Sequence, residues 1–153
     1  DRYSGHRAGD PDMTFAIVFS LLLIGASVFI HYEVLRAVSG FMPRMTMPPR
    51  PRLLVVIAAA FLAHLVEIML FAGIYLGMQL YWDMGELVGH NDASLAEFVY
   101  FSFATYTTLG IGDLYPTGPM RIVAGVESLC GLVLIGWSAS FTYLAMRDFW
   151  DLH

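Results

Sequence analysis

Residues 107–116 read TTLGIGDLYP, and the reading of that stretch decides the fold. Gly110 and Gly112 bracket one isoleucine, a threonine pair precedes them and Asp113 follows. Long apolar runs lie on both sides. Of the 153 residues, 58% are hydrophobic and only 14% are charged, against roughly 45–50% apolar in soluble domains. A soluble fold has too little polar surface to cover such a chain, so it reads as a membrane protein. The most flexible residues therefore lie in a chain built for lipid.

Working outward, three segments are long enough to cross. They run from about Met13 to Val38, Leu53 to Tyr81 and Met120 to Met146. Each meets the roughly 20 apolar residues that a helix needs to span the hydrocarbon. The first does not read as a signal peptide, because no small-residue cleavage site closes it before His31-Tyr32-Glu33. Between the second and third lies a weaker segment. Ser94-Leu95-Ala96-Glu97 has the pattern of a capping box, and an apolar, aromatic run follows to Tyr106. About 12 residues make roughly 18 Å of helix, too short to cross. TTLGIGD comes directly after it. A half-crossing helix followed by extended backbone predicts a re-entrant hairpin, which is tolerated at membrane depth only where it is buried in protein or lines a watery path.

The charges set topology and exclude some classes. Arg36, Arg44, Arg50 and Arg52 cluster between the first two spans, and positive residues favour the cytoplasmic side. The N-terminus is then expected outside, the re-entrant loop entering from outside, and the C-terminus cytoplasmic. Arg147 agrees; Arg121, Arg2 and Arg7 run against it. The linker FMPRMTMPPRPRL is too proline-rich for a long helix. Two readings of its arginines compete: Arg44, Arg50 and Arg52 rest on anionic lipid headgroups, or they only mark topology, which is the plainer and favoured reading. Tyr81 with Trp82, and Phe149 with Trp150, fit interfacial anchors. The net charge is −5 and lysine is absent, so no basic stripe exists for nucleic acid. Cys130 is the only cysteine and reads as a buried packing residue. No Ser-His-Asp, P-loop or zinc pattern appears, so no enzyme is expected.

An ion cannot cross lipid without a substitute for its water shell. Successive backbone carbonyls supply one if they point at one axis. Side-chain-bearing residues resist the left-handed dihedrals this requires, whereas glycine accepts them. Gly110 and Gly112 therefore let the carbonyls of Thr108, Leu109, Gly110 and Ile111 face one way. The Thr108 hydroxyl can add an inner ring, and Leu109 and Ile111 turn their side chains outward into packing. One chain supplies one carbonyl per level, while potassium needs about eight oxygens in rings of this kind. Four copies around an axis supply four per level, so a homotetramer follows from the filter reading.

YFSFATYTTLGIGDLYP resembles the pore loop of potassium channels. The resemblance covers about Leu53 to Met146, and the family's TxGxGD pattern falls on Thr108, Gly110, Gly112 and Asp113. It implies an all-α membrane protein with three transmembrane helices, a re-entrant pore helix and a filter loop. Residues 1–52 would carry the extra helix and linker, 53–147 the pore domain and 148–153 a short tail. No cofactor is expected; K+ is the permeant ion. Departures from the family pattern are Ile111 in place of the filter aromatic, Tyr100 and Phe101 where many relatives have a tryptophan pair, and Ala104 where some have a glutamate that holds the filter aspartate. A looser filter, and so a weakly selective monovalent-cation channel, is the alternative within the class. A non-conducting membrane sensor or scaffold using His64, Glu67 and Glu127 is the alternative outside it.

Further residues carry expectations. A membrane-buried carboxylate is expensive, so Glu127 is a candidate brace behind the filter through Ser102, Thr105 or Tyr106; the competing reading is a plain helix-packing contact. His64 and Glu67 share a face three residues apart, as a proton- or metal-responsive pair or as an interhelix hydrogen bond. Counted along the helices, His31 lies a turn and a half from the inner surface and His64 about three turns, so no transition-metal site is expected. Gly131 matches the family's hinge glycine; close helix packing is its competing reading. Asp83, Glu86, Asp92 and Glu97 surround the loop entrance with Asp113 at its mouth, which in four copies concentrates cations. The first span has no repeated arginines, so it is not a voltage sensor of the usual kind, and no cytoplasmic ligand-binding domain is expected after Arg147.

Overall fold

The computed structural model describes residues 11–44, 46, 48–89 and 94–150. It is helical apart from one short ladder. Helix α1 runs Pro11–Phe41, a 3-10 turn follows at Met42–Arg44, and α2 runs Pro49–Leu80. Strand β1 is Leu87–Val88, α3 is Leu95–Tyr106, β2 is Tyr115–Pro116 and α4 is Met120–Trp150. Three of these helices are long and apolar enough to cross a membrane, which makes the chain a multi-pass membrane protein. Arg2, Arg7 and Asp92 lie outside the described residues, as do the side chains of Phe149 and Trp150.

Each long helix extends beyond its expected span at one end or at both. Helix α2 starts at Pro49 and not at Leu53, because the first-turn N–H groups have no partner inside a helix and a proline there forfeits nothing. Helix α1 has 31 residues, roughly 46 Å, well beyond the hydrocarbon thickness. Its buried positions are Ala16, Ser20, Leu23, Ser27, His31 and Leu35. They recur every three or four residues, so they form one stripe. Ala16, Ser20 and Ser27 are small, and small residues let helices approach closely in a membrane. The opposite face leaves Phe15, Leu21, Leu22 and Phe29 exposed, which suits contact with lipid tails or a neighbouring chain.

Helix α3 has 12 residues and packs in the angle between α2 and α4. Phe98, Phe101, Ser102, Ala104 and Tyr106 are its buried side. Phe98 and Phe101 join Phe71, Tyr75, Met78, Met120 and Val123 in the core, and the Tyr75 and Phe101 rings meet edge-on with centroids 5.1 Å apart. Ser94 takes the N-cap position with an extended backbone, but its hydroxyl makes no cap hydrogen bond. The expected capping box is therefore absent; the Ser94 carbonyl instead accepts from the Glu97 N–H at 3.0 Å. Ser94 is exposed, so first-turn donors there can be satisfied by solvent.

The β1–β2 ladder pairs Leu87 with Pro116 and Val88 with Tyr115, antiparallel. Thr117 extends it: its N–H donates to the Glu86 carbonyl at 2.9 Å, and its hydroxyl oxygen accepts from the Glu86 N–H at 2.9 Å. The ladder ties the segment before α3 to the segment after TTLGIGD. Trp82 folds back over Gly77 and stacks on Phe19 of α1, with ring centroids 5.0 Å apart.

Candidate functional site

The TTLGIGD segment leaves the C-terminus of α3 and adopts an alternating backbone. Thr108, Gly110 and Gly112 have φ of +59°, +52° and +86°. Leu109 and Ile111 between them do not enter the positive-φ region. A threonine at positive φ is costly, and it extends the alternation one step further back than the glycines alone require. Such alternation sends successive N–H groups to one side of the chain and carbonyls to the other. The Gly110 N–H turns back to the Ala104 carbonyl at 3.1 Å, and the Thr108 N–H to Thr105 at 3.0 Å. Among the described residues, none of the carbonyls of Thr108, Leu109, Gly110 and Ile111 accepts a backbone hydrogen bond. The expected packing for Leu109 and Ile111 is not supplied within the chain: they are 66% and 58% exposed.

Behind this segment, Glu127 of α4 is fully buried. Its carboxyl accepts from the Ser102 hydroxyl of α3 and from the Tyr75 hydroxyl of α2, each at 2.5 Å. Ser102 also reaches the Ile68 carbonyl at 2.9 Å. Of the three partners expected for Glu127, only Ser102 makes the contact. The Thr105 carbonyl accepts from Ser128 at 3.0 Å, and Tyr106 turns the other way. Tyr75 was not foreseen; a lone tyrosine in an apolar run gives no sign of which face it occupies.

Tyr106, the last residue of α3, joins a second buried cluster. Its hydroxyl donates to Glu67 Oε2 and lies 2.9 Å from His64 Nδ1. His64 Nδ1 is 3.3 Å from Glu67 Oε2, as the three-residue spacing suggests. Glu67 Oε1 is 2.9 Å from Nδ1 of His31 on α1. The Nε2 atoms of both histidines then converge on one hydroxyl, Ser138 of α4, at 3.1 Å from His31 and 3.0 Å from His64. His31 and Glu67 are fully buried. The depth count that kept His31 apart from His64 is thus overturned. Helix α1 runs on to Phe41 and not Val38, which carries His31 to about 15 Å from its end, and an offset between the two helix ends makes up the rest. Glu33, two residues beyond His31, pairs with Arg36 at 3.3 Å on the surface.

At the end of the TTLGIGD segment, the Tyr100 hydroxyl donates to Asp113 Oδ2 at 2.9 Å, and Asp113 Oδ1 accepts from the Leu114 N–H at 3.0 Å. The carboxylate favours the neutral phenol and raises its pKa, so Tyr100 stays a donor through the neutral range. Asp83, Glu86 and Asp113 are exposed. Gly131 faces the end of α3: a Cβ there would lie 2.0 Å from the Tyr106 carbonyl oxygen. That is the close-packing role, in a helix that runs unbroken from Met120 to Trp150.

Residues 53–147 match the model of a family described as "Ion channel". Among curated proteins, the chain is 30% identical over 77 residues to two-pore potassium channel 1 of Arabidopsis thaliana. That stretch is 48% of this chain and 21% of the relative, so the chain spans about a fifth of that protein's length. No solved structure matches it.

Proposed function

The chain belongs to the ion-channel family, and on that footing we propose that it is a potassium-selective channel working as a homotetramer. The observation that carries the reading is the run of four carbonyls, Thr108 to Ile111, that accept no backbone hydrogen bond among the described residues, on a backbone whose Thr108 and Gly110 N–H groups are turned back toward α3. A stripped cation needs such oxygens from all sides. Four chains would set them in rings around a shared axis, and potassium would pass by repulsion between adjacent sites without a cofactor. The exposed Leu109 and Ile111 side chains would then find their packing against neighbouring copies.

The remaining residues take supporting roles in this reading. Glu127, held by Ser102 and Tyr75, braces α3 behind the filter. Tyr100 steadies Asp113 in place of the glutamate that Ala104 lacks. Asp83, Glu86, Glu97 and Asp113, repeated fourfold, make a negative outer vestibule. The Arg44, Arg50 and Arg52 linker lies on the cytoplasmic side near anionic headgroups, with the N-terminus outside and the C-terminus inside.

Purified protein in planar bilayers, with potassium on one side and sodium on the other, tests the reading. The expected reversal potential lies close to the potassium equilibrium value. A value near zero would make it a weakly selective cation channel, consistent with Ile111 offering no hydroxyl to α3. Electrical silence from an intact assembly would refute conduction.

A further inference from the structure

We propose that His31, His64 and Glu67, with Tyr106 as the nearest fourth donor, form a binding site for a divalent first-row transition ion of the zinc class, buried where all four helices meet. The donor set comes first. Two imidazoles and a carboxylate are a ligand set that zinc accepts, commonly with one further oxygen. One donor atom from each of His31, His64 and Glu67 can be chosen so that all lie within 4.8 Å of one another. The separations that matter are 2.9 Å for His31 Nδ1 to Glu67 Oε1, 3.3 Å for His64 Nδ1 to Glu67 Oε2 and 2.9 Å for His64 Nδ1 to the Tyr106 oxygen. Four donors around an ion with bonds of about 2.0–2.1 Å stand about 3.3 Å apart. His31 and His64 meet opposite oxygens of Glu67, so an ion would draw the three donors inward from within 4.8 Å of one another to that spacing.

Hydrogen counting supplies a second, independent argument. A neutral imidazole has one N–H and one acceptor nitrogen, and a hydroxyl has a single hydrogen. If both Nδ1 atoms donate toward Glu67, both Nε2 atoms are acceptors, and both face Ser138 Oγ. Its one hydrogen serves only one of them. With a cation on the two Nδ1 atoms, both rings carry Nε2–H, and the Ser138 oxygen accepts both with its two lone pairs. Metal-bound histidines ordinarily donate the other ring N–H to such a partner, which fixes their orientation. Ser138 is therefore a positioning residue that serves both rings. The cluster is not sealed: a cavity of about 340 Å³ is lined by His64, Tyr106 and Ser138 among apolar side chains, and His64 keeps 16% of its side chain exposed.

The test is on metal binding alone and does not depend on conduction, so its failure and that of the channel reading are distinguishable. Full-length protein in detergent, stripped with EDTA and desalted, is titrated with Co2+ and then Zn2+. One equivalent per chain is expected, with visible absorption of tetrahedral-class intensity that Zn2+ abolishes. Glu67→Gln and His64→Ala lose this equivalent, while Ser138→Ala binds about 10–100-fold more weakly. His6, His90 and His153 remain in every variant, so they cannot account for the difference. Zn2+ is also expected to raise the melting temperature of the stripped wild type and not that of Glu67→Gln. Should Glu67→Gln fail to fold, the affinity of Ser138→Ala decides. No stoichiometric cobalt in the wild type, unaltered cobalt binding in Glu67→Gln, or wild-type affinity in Ser138→Ala overturns the proposal and leaves a hydrogen-bonded cluster completed by one added proton.

Discussion

Gly131 and Tyr106 meet so closely that no side chain fits between them. The obstacle is a backbone carbonyl and not a flexible side-chain tip, so the neighbour cannot swing aside. Gly131→Ala is expected to force α3 and α4 apart and to cost about 1–3 kcal/mol, the usual range for overpacking. Thermal unfolding in detergent measures it, and an unchanged midpoint would show that the contact relaxes freely. The same scale explains Thr108. It shares the positive φ of the two glycines after it, although its Cβ makes that conformation unfavourable. Gly110 and Gly112 announce the alternation in sequence, whereas Thr108 is a follower whose dihedral no local preference would predict.

At the scale of elements, the short helix α3 is held by polar contacts at both its middle and its end. Glu127 is the middle fastening: one carboxyl receives hydroxyls from α2 and α3. Glu127→Leu keeps much of the volume but removes both acceptor oxygens; Ser102 retains the Ile68 carbonyl, while the buried Tyr75 hydroxyl loses its partner. A loss of about 1–3 kcal/mol is expected from that unsatisfied buried group. If α3 steadies the filter, the potassium-over-sodium reversal potential should also fall. A variant with wild-type stability and selectivity would reduce Glu127 to a packing contact. The elements were legible in sequence to differing degrees. The three spans declare themselves because lipid demands long unbroken apolar runs, and α3 because its run is too short to cross. The early start of α2 was hidden by prolines that a first turn tolerates. The β1–β2 ladder was hidden because two residues carry no periodicity. The meeting of His31 with His64 depends on the offset between two helices, which neither apolar run encodes.

For the whole molecule, one chain leaves Leu109 and Ile111 exposed beside carbonyls that accept no backbone hydrogen bond among the described residues. That surface is incomplete by itself. Light scattering on the detergent-purified protein is expected to give four copies per particle after subtraction of the micelle, and a monomer under conditions that preserve the fold would leave the four-copy reading without support. The extra helix α1 adds more than lipid-facing area, because it delivers His31 to a cluster drawn from α2, α3 and α4. Tyr106 stands at the crossing of these attachments. Its phenol is tied to Glu67 and its carbonyl abuts Gly131, with Thr108 two positions along. A stiff ring with its hydroxyl on α2 and its own peptide against α4 makes a lever arm, along which a shift between those two helices reaches the last peptide of α3. Helix α1 joins the same arm through His31 and Glu67, beside the route that Ser138 opens to α4.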